Sequence, residues 1–211
     1  MVSAFGATDE PVTSGADPKK LAKSMASWVK KYQLDGIDVD FEDMPAVDSR
    51  KAAKWLIAFT STLRDELPKK KGYLISHAPV APWFAKSGGG CYNEMHKTVG
   101  DKIDFYNVQF YNQEDLYTTC ESLISKSGGI FPGSSIFEIN KTGVDLDKIV
   151  VGKIAKASDG YGGHMDSTKL ASCLAKAKGK GWNGGVMVWQ YPHADKKWIK
   201  AVREKSWPIH K

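Results

Sequence analysis

The sequence contains few cysteines and no long apolar run. Its three cysteines, Cys91, Cys120 and Cys173, show no Cys-x-x-Cys or Cys/His spacing, so a structural zinc site is not expected. The odd number allows one disulfide and one free thiol, and the sequence leaves the pairing open. No stretch approaches the roughly 20 apolar residues that a membrane-spanning helix needs, so we expect no membrane segment. Residues 1–6 lack the charged start and apolar stretch of a signal peptide.

Arginine is also rare, although the chain is basic. The 211 residues include 30 Lys and Arg against 24 Asp and Glu, a formal net charge of +6, but only Arg50, Arg64 and Arg203 are arginines. Arginine forks dominate protein contacts to phosphates and base edges. We therefore interpret the charge as a solvated, lysine-rich surface and expect no nucleic-acid partner.

Glycine-rich phosphate-binding loops are absent as well, which narrows the choice of fold. The composition, 42% hydrophobic and 26% charged, is that of a globular protein. Apolar runs rich in Val, Ile, Phe and Tyr predict strands at residues 2–7, 36–41, 73–80, 105–111, 149–154 and 185–191. Helical patterns separate most of them, which predicts βαβ units in a doubly wound sheet or a (β/α) barrel. No GxGxxG or GxxxxGK[ST] motif follows a strand, and this argues against a nucleotide-binding doubly wound domain. We expect one domain over residues 1–211.

Capping residues and helical spacing predict where the longer helices begin. Asp17 and Pro18 are a typical N-cap and first helical residue. Asp48 is predicted to open a second helix that carries Leu56, Phe59 and Leu63 on one face and ends before Pro68. Ser167 is predicted to cap a third helix, and residues 112–147 are predicted to hold two short helices.

The most informative segment is residues 35–43, Asp-Gly-Ile-Asp-Val-Asp-Phe-Glu-Asp. Because side chains alternate between the two faces of a strand, Asp38, Asp40 and Glu42 form one row. The opposite face is apolar, which argues against the first alternative, an exposed edge strand with a wet acidic face. A calcium loop is the second alternative. It needs flexible polar spacers and a central glycine, whereas Val39 and Phe41 separate these acids.

Three carboxyl groups in one buried row cannot all be ionised cheaply. They repel one another and lose hydration, so some of them are expected to keep a proton near neutral pH. A raised pKa is what a general acid needs. Glu42 lies at the C-terminal end of its strand, where barrel enzymes place their chemistry.

Residues 35–42 resemble the DGxDxDxE signature of glycoside hydrolase family 18, the chitinase family, with four acids in place. Residues 3–6, Ser-Ala-Phe-Gly, resemble the SxGG strand of that family, with Phe5 where a glycine is usual. Residues 106–112, Tyr-Asn-Val-Gln-Phe-Tyr-Asn, resemble a later strand motif in the form seen in plant class III and fungal chitinases. Ala78-Pro79 resembles a strand end of the family, and residues 185–189 resemble its final strand with a floor tryptophan.

The resemblance implies substrate-assisted hydrolysis, in which the 2-acetamido carbonyl of the sugar attacks the anomeric carbon. Carried over by position, Glu42 is the general acid and later the base that activates water. Asp40 orients the acetamido N–H and stabilises the positive intermediate, while Asp38 shares a proton with Asp40. Tyr111 donates its hydroxyl to the acetamido carbonyl.

The resemblance also implies sugar-binding residues. Gln109 lies two residues from Tyr111 and shares its strand face, Asn112 binds sugar hydroxyls, and Trp189 forms an apolar platform under the ring. His77, beside Ala78-Pro79, is expected to be a structural histidine. The remaining histidines show no pairing spacing with the acids and receive no role. No cofactor and no metal are expected.

The family fold is an eight-stranded TIM-type (β/α)8 barrel, and only six strands are found here. The resemblance therefore implies an α/β barrel truncated to about six βα units, without the first two. Strand 2–7 would then be an apolar edge, through which we expect self-association. An extracellular location is expected, with the signal peptide outside this chain.

The leading functional hypothesis is an endo-acting chitinase that hydrolyses β-1,4-N-acetylglucosamine linkages in chitin or its oligosaccharides. An endo-β-N-acetylglucosaminidase acting on N-glycans is the nearest alternative. A catalytically silent chitin-binding lectin, or a xylanase-inhibitor-like protein, is the alternative outside the enzymes. Such binding proteins commonly lose the terminal glutamate of the signature, and Glu42 is present.

Overall fold

Six parallel strands, paired in the order in which they occur along the chain, form one open sheet. A computed structural model of the chain describes residues 1–208. The strands are β1 (Val2–Phe5), β2 (Gly36–Asp40), β3 (Leu74–His77), β4 (Phe105–Gln109), β5 (Ile149–Ile154) and β6 (Val186–Trp189). Within residues 1–208 no pairing joins β1 to β6, so both are edge strands. The result is the expected α/β architecture, a half-barrel of six parallel strands.

Eight α-helices occur in the described residues. They are α1 (Pro18–Lys31), α2 (Met44–Asp48), α3 (Ala52–Glu66), α4 (Cys91–Val99), α5 (Cys120–Ile124), α6 (Ile136–Asn140), α7 (Ser167–Lys178) and α8 (Lys196–Arg203). α5 and α6 are the two short helices predicted between residues 112 and 147. None of the helices in residues 1–208 is long and apolar enough to cross a bilayer.

The strand alternation predicted for β2 is present. Ile37, Val39 and Phe41 are buried, and the helices that cover this face of the sheet include α3, whose Leu56, Phe59 and Leu63 are fully buried. This face and the helices form the apolar core. The opposite face of β2 places the carboxylates on the concave side of the half-barrel. Because side chains alternate along a strand, burying Ile37, Val39 and Phe41 in the core turns the acids between them to the concave side.

The predicted start of the second long helix was wrong. Asp48 ends the short helix α2, and α3 begins at Ala52 after the N-cap Lys51. Asp43 is the residue that caps α2, because its side chain accepts a hydrogen bond from the Ala46 N–H at 3.1 Å. Arg50, at a φ of +58°, separates the two helices, since a left-handed residue cannot continue a right-handed one.

The other two helix starts lie close to the predictions. α1 begins at Pro18, and the Asp17 side chain accepts the Lys20 N–H at 2.8 Å. In α7 the cap is one residue earlier than predicted: Asp166 accepts the N–H groups of the first turn, and Ser167 is the first helical residue. Asp and Ser are both good N-caps, so the local sequence does not separate them.

Cys120 and Cys173 form a disulfide that joins α5 to α7, and Cys91 is a buried free thiol. One disulfide and one free thiol is the combination that the odd number allowed. His77 is buried, with Thr60 and Tyr92 each 3.2 Å from its ring nitrogens, and burial lowers its pKa to about 3. It is the structural histidine that was expected.

Charged groups at the N-terminal ends of β3 and β4 are paired. The Arg64 guanidinium lies 2.6 Å from Asp104 Oδ2 and donates further hydrogen bonds to the backbone oxygens of Lys102, Leu67 and Tyr73. Burial alone would raise the pKa of Asp104. Hydrogen bonds from the Ile75 N–H, Lys69 and Arg64 instead hold it below its usual value. At this end of the sheet the buried charges are paired and hydrogen-bonded.

Candidate active site

The three acids of the predicted row lie together at the C-terminal end of β2, all half-buried on the concave face. Asp38 is the deepest along the strand. It accepts hydrogen bonds from Ser3 Oγ at 2.9 Å, Ser76 Oγ at 2.5 Å and Asn107 Nδ2 at 3.0 Å. Strand register explains two of these contacts, because Ser3 on β1 and Ser76 on β3 both pair with Asp38. The position of Asp38 is therefore set by side chains from three other strands, β1, β3 and β4.

Gln109 connects the other two acids. Its Nε2 lies 3.0 Å from Asp40 Oδ1, 3.4 Å from Glu42 Oε1 and 2.8 Å from the backbone oxygen of Ala78. Burial, followed by the charges of Glu42 and Asp38, raises the pKa of Asp40 to about 8. A hydrogen bond between Asp40 and Glu42 acts in the same direction, and the one from Gln109 acts against it. Asp40 therefore keeps a proton at neutral pH, beside Glu42.

Asp40 and Glu42 face a cavity of about 370 Å³, within the range of small-ligand sites, whereas Asp38 lies outside its lining. The cavity brings together most of the residues that the sequence suggested; its lining includes Asp40, Glu42, Gln109, Tyr111, Asn112 and Trp189. Tyr111 is buried, and burial, then the charges of Asp40 and Glu42, raises its pKa above the usual range. Its hydroxyl is therefore a hydrogen-bond donor in the cavity at neutral pH. Trp189 is 46% exposed, so part of its apolar ring is open to a ligand.

Asn112 has a structural contact as well as a place in the cavity. It has a φ of +63°, and its Oδ1 accepts the Tyr161 N–H at 2.7 Å. The amide nitrogen of Asn112 can donate to a ligand while the oxygen keeps this contact. Asn112 also borders a second cavity, of about 510 Å³, whose lining includes Met44, Trp83 and Gln113. The two cavities therefore adjoin.

Sequence reasoning missed several residues around the site. Asn107 shares the strand face of Gln109, and this two-residue spacing was a signal that went unused. Ser3 and Ser76 depend on strand register, which the sequence alone does not provide. His193 received no role, yet its Nδ1 lies 2.5 Å from Asp159 Oδ1 at the edge of the cavity. Since these two residues follow different strands, 34 positions apart, no local pattern could have paired them.

Phe5 occupies a position where the resemblance leads one to expect glycine, and the backbone there explains why. Its φ is +79°, in the left-handed region that favours glycine. The Phe5 ring packs against Phe59 and Trp55, with centroids 5.7 and 6.1 Å away. Packing in the core therefore offsets a strained backbone. Among the described residues, no group of three or more His, Cys, Asp or Glu side chains is arranged to hold a metal ion.

Known proteins resemble this chain in both sequence and fold. A family model described as glycosyl hydrolases family 18 matches residues 4–157. The chain is 30% identical over 155 residues to the secreted chitinase LysM12 of Penicillium expansum, covering 66% of this chain and 10% of that protein. It is 24% identical over 166 residues to chitinase 1 of Tulipa saxatilis subsp. bakeri, covering 79% of this chain and 46% of that protein.

The chain spans less than half the length of these two relatives. Among solved structures, it is similar to a GH18 chitinase from Pseudoalteromonas aurantia, with a TM-score of 0.84 and 31% identity over 97% of this chain and 74% of that one. This similarity confirms the expected TIM-type α/β fold with six βα units. The family match covers most of the chain and includes the acidic row and the motif of residues 106–112. The chain belongs to glycosyl hydrolase family 18.

Proposed function

We propose that this domain is an endo-acting chitinase that hydrolyses β-1,4-N-acetylglucosamine linkages with retention, using the acetamido group of the substrate as the nucleophile. The observation that carries the proposal is the placement of Asp40 and Glu42, both hydrogen-bonded to Gln109, on a cavity that also receives Tyr111 and Trp189. The names of the relatives, chitinases from a fungus and a plant, support chitin or its oligosaccharides as the substrate class.

In this mechanism Glu42 donates a proton to the glycosidic oxygen and later removes one from the attacking water. The first step uses the proton held by Asp40, which passes across the Asp40–Glu42 hydrogen bond to Glu42 and then to the glycosidic oxygen, leaving both carboxylates ionised. Asp40 then contacts the acetamido N–H and stabilises the positive charge of the cyclic intermediate. Asp38, held by Ser3, Ser76 and Asn107, adds negative charge behind Asp40 and raises its pKa.

The other cavity residues position the sugar. The Tyr111 hydroxyl, kept protonated by its buried environment, donates to the acetamido carbonyl and aligns it for attack. Gln109 holds the two outer acids apart at fixed distances, and the Asn112 amide binds a sugar hydroxyl. Trp189 offers its exposed face to the apolar side of the ring. The adjoining 510 Å³ cavity gives room for the sugar on the other side of the bond, which supports endo-acting cleavage.

Turnover of a fluorogenic chitotrioside tests the proposal, with Glu42→Gln as the variant and Glu94→Gln, exposed on α4, as the control. We expect Glu42→Gln to lower kcat by about 10²- to 10⁴-fold, the usual contribution of a general acid, and Glu94→Gln to retain activity. Fully deacetylated chitosan should not be cleaved, because it lacks the attacking carbonyl. Activity that survives Glu42→Gln would rule out the assignment of Glu42.

The same assays separate the alternatives. Release of N-glycans with no action on chitin oligosaccharides would favour the endo-β-N-acetylglucosaminidase. Binding of chitin without turnover by the unaltered chain would favour the silent lectin. We also propose an extracellular location, because a disulfide persists in oxidising compartments and a relative is named as secreted.

We further propose that the chain self-associates through the β1 edge. The unpaired side of β1 lies beside Leu21, Met25 and Trp28 of α1, and Trp28 is exposed. An unpaired strand next to an apolar helix face is a typical site of association. Sedimentation velocity should show concentration-dependent dimers or larger species, which Val2→Lys reduces. A single monomeric species at all concentrations would contradict this proposal.

A further inference from the structure

A fully buried lysine lies behind the cavity, on the side of β5 turned away from the acids. Gly152 pairs with Gln109 on the concave face, so the next residue, Lys153, points to the opposite face. Its ammonium donates hydrogen bonds to the backbone oxygens of Phe110 at 2.7 Å, Tyr117 at 2.9 Å and Gly163 at 2.6 Å. All three N–H groups are therefore used. Within residues 1–208 no carboxylate lies within 4 Å of its Nζ.

Burying the Lys153 ammonium costs free energy, and an apolar side chain could fill the same space without that cost. A buried ammonium loses its hydration, and the compensation seen within residues 1–208 is three carbonyl dipoles. Burial lowers the pKa of Lys153 to about 7, so below that pH the charged form, with a proton for each carbonyl, prevails. An apolar residue of similar length would avoid the cost entirely. What the lysine adds is that it brings three separate backbone segments to one point.

Two of those segments carry the cavity residues. The Phe110 carbonyl belongs to the peptide that leads directly into Tyr111, and Tyr117 lies in the loop that follows. Gly163 ends a glycine strap, residues 160–163 (Gly-Tyr-Gly-Gly), which lines the cavity through Gly160 and Tyr161. The strap packs tightly on the same backbone: a Cβ at Gly163 would lie 2.8 Å from Tyr111 Cα. The Asn112 N–H also donates to the Gly162 oxygen at 3.1 Å.

The strap has little to hold it in place by itself. Three of its four residues are glycines, which lose the most conformational freedom on folding. The fourth, Tyr161, is 95% exposed and contributes almost no packing. Its order therefore depends on the backbone contacts with Asn112 and on the bond from Lys153 to Gly163.

We propose that Lys153 is a positioning residue for the hydrolysis suggested above, because its ammonium fixes the backbone that presents Tyr111 and Asn112 to the acidic row. The effect on catalysis rests on the proposed function, whereas the effect on backbone order does not. Lys153 does not touch the cavity, so it acts through the residues it holds.

The chain offers a matched control at the other end of the same strand. Lys148 Nζ donates to the backbone oxygens of Gly100 at 2.7 Å and Ile103 at 2.8 Å, far from the cavity. Lys153→Met and Lys148→Met each remove a carbonyl-binding ammonium and shorten the unbranched side chain by one atom. For both variants, kcat and KM on a chitotrioside at pH 6, thermal stability and amide hydrogen exchange by mass spectrometry would be measured.

We expect Lys153→Met to lower kcat by on the order of 10- to 100-fold at a temperature where it is folded, with a smaller change in KM, because a misplacement of about 1 Å can have that effect. Amide exchange should rise in residues 110–117 and 160–163. Lys148→Met should lose thermal stability, raise exchange near residues 100–103 and keep its kcat.

An unchanged kcat in folded Lys153→Met, or unchanged exchange in both segments, would overturn the proposal. If Lys153→Met does not fold, Gly163→Ala disturbs the same contact while keeping the lysine, and should show the same loss of kcat. If neither variant folds, a crystal structure of the unaltered protein decides, since Nζ more than 4 Å from the Phe110 and Gly163 oxygens would refute the arrangement. If the unaltered protein does not hydrolyse the chitotrioside, the proposed function fails, and hydrogen exchange still tests whether Lys153 orders the strap.

Discussion

The two ends of the sheet differ in whether their buried carboxyl groups are paired with a cation. At the N-terminal ends of β3 and β4, Arg64 and Asp104 form a close ion pair, and backbone groups satisfy their remaining hydrogen bonds. At the C-terminal end of β2, three carboxyl groups lie together. Within residues 1–208 no Lys, Arg or His nitrogen comes within 4 Å of their oxygens. Apart from the hydrogen bond between Asp40 and Glu42, their donors are neutral hydroxyl and amide groups.

The paired charges at one end favour folding, whereas the crowded acids at the other end are arranged for proton transfer. An ion pair lowers the pKa of its carboxyl group and favours the folded state, whereas carboxyl groups crowded without a cation raise a pKa and oppose folding above it. The second arrangement keeps a proton that can be transferred, and barrel enzymes place their chemistry at that same end of the strands. The same crowding of the acids therefore lowers stability at neutral pH and keeps a proton that can be transferred.

The largest loss of stability is expected from breaking the paired end. Asp104→Asn leaves the Arg64 guanidinium buried without its counter-charge, and such a change typically lowers the free energy of unfolding by about 3–5 kcal/mol. Chemical denaturation would measure it, with Asp101→Asn on the same side of the sheet as the control. The pH optimum of the proposed hydrolysis should not move. A variant as stable as the unaltered protein would show that the pair contributes little.

An effect of opposite sign, dependent on pH, is expected at the crowded end. The pKa of Asp40 is raised to about 8, so from about pH 4 to pH 8 the folded state binds more protons than the unfolded state, and stability falls as pH rises. Asp40→Asn removes this dependence. Its free energy of unfolding relative to the unaltered protein should increase with pH, by at most about 1.4 kcal/mol per pH unit.

Denaturation at pH 5 and pH 8 would measure this, with Asp35→Asn, exposed at the other end of β2, as the control. Asp104 should behave in the reverse sense. Its pKa is lowered, so its contribution is present at neutral pH and is lost as the pH falls below about 4. A pH-independent difference between Asp40→Asn and the unaltered protein would mean that Asp40 does not hold the proton.

Much of the site could be predicted from local spacing. A two-residue repeat placed Asp38, Asp40 and Glu42 in one row and Gln109 with Tyr111 on one face, and the structure brings Asp40, Glu42, Gln109, Tyr111, Asn112 and Trp189 to one cavity. The roles of these residues in catalysis and binding stay predictions. Helix starts were less predictable, because Asp43 and Asp48 are equally good caps by composition. In the structure Asp43 caps α2 and Asp48 ends it, because the left-handed Arg50 stops the helix from continuing.

Lys153 shows why the rest could not be predicted. In the sequence it is one lysine in an apolar strand, with no pattern that distinguishes it from a solvated one. Its three acceptors come from residues 110, 117 and 163, which meet only when β4, β5 and their loops are assembled. The contact between His193 and Asp159 has the same origin.

The sequence by itself determined the alternation of strands and helices, the identity and order of the acids, and the face of the strand on which they lie. These follow from chain geometry, since neighbouring side chains of a strand point in opposite directions. Only the tertiary structure decided which acid keeps a proton, which donors surround it and which lysine holds the wall of the cavity. Those properties depend on burial and on distances between strands, and these quantities arise only when segments far apart in the chain pack together.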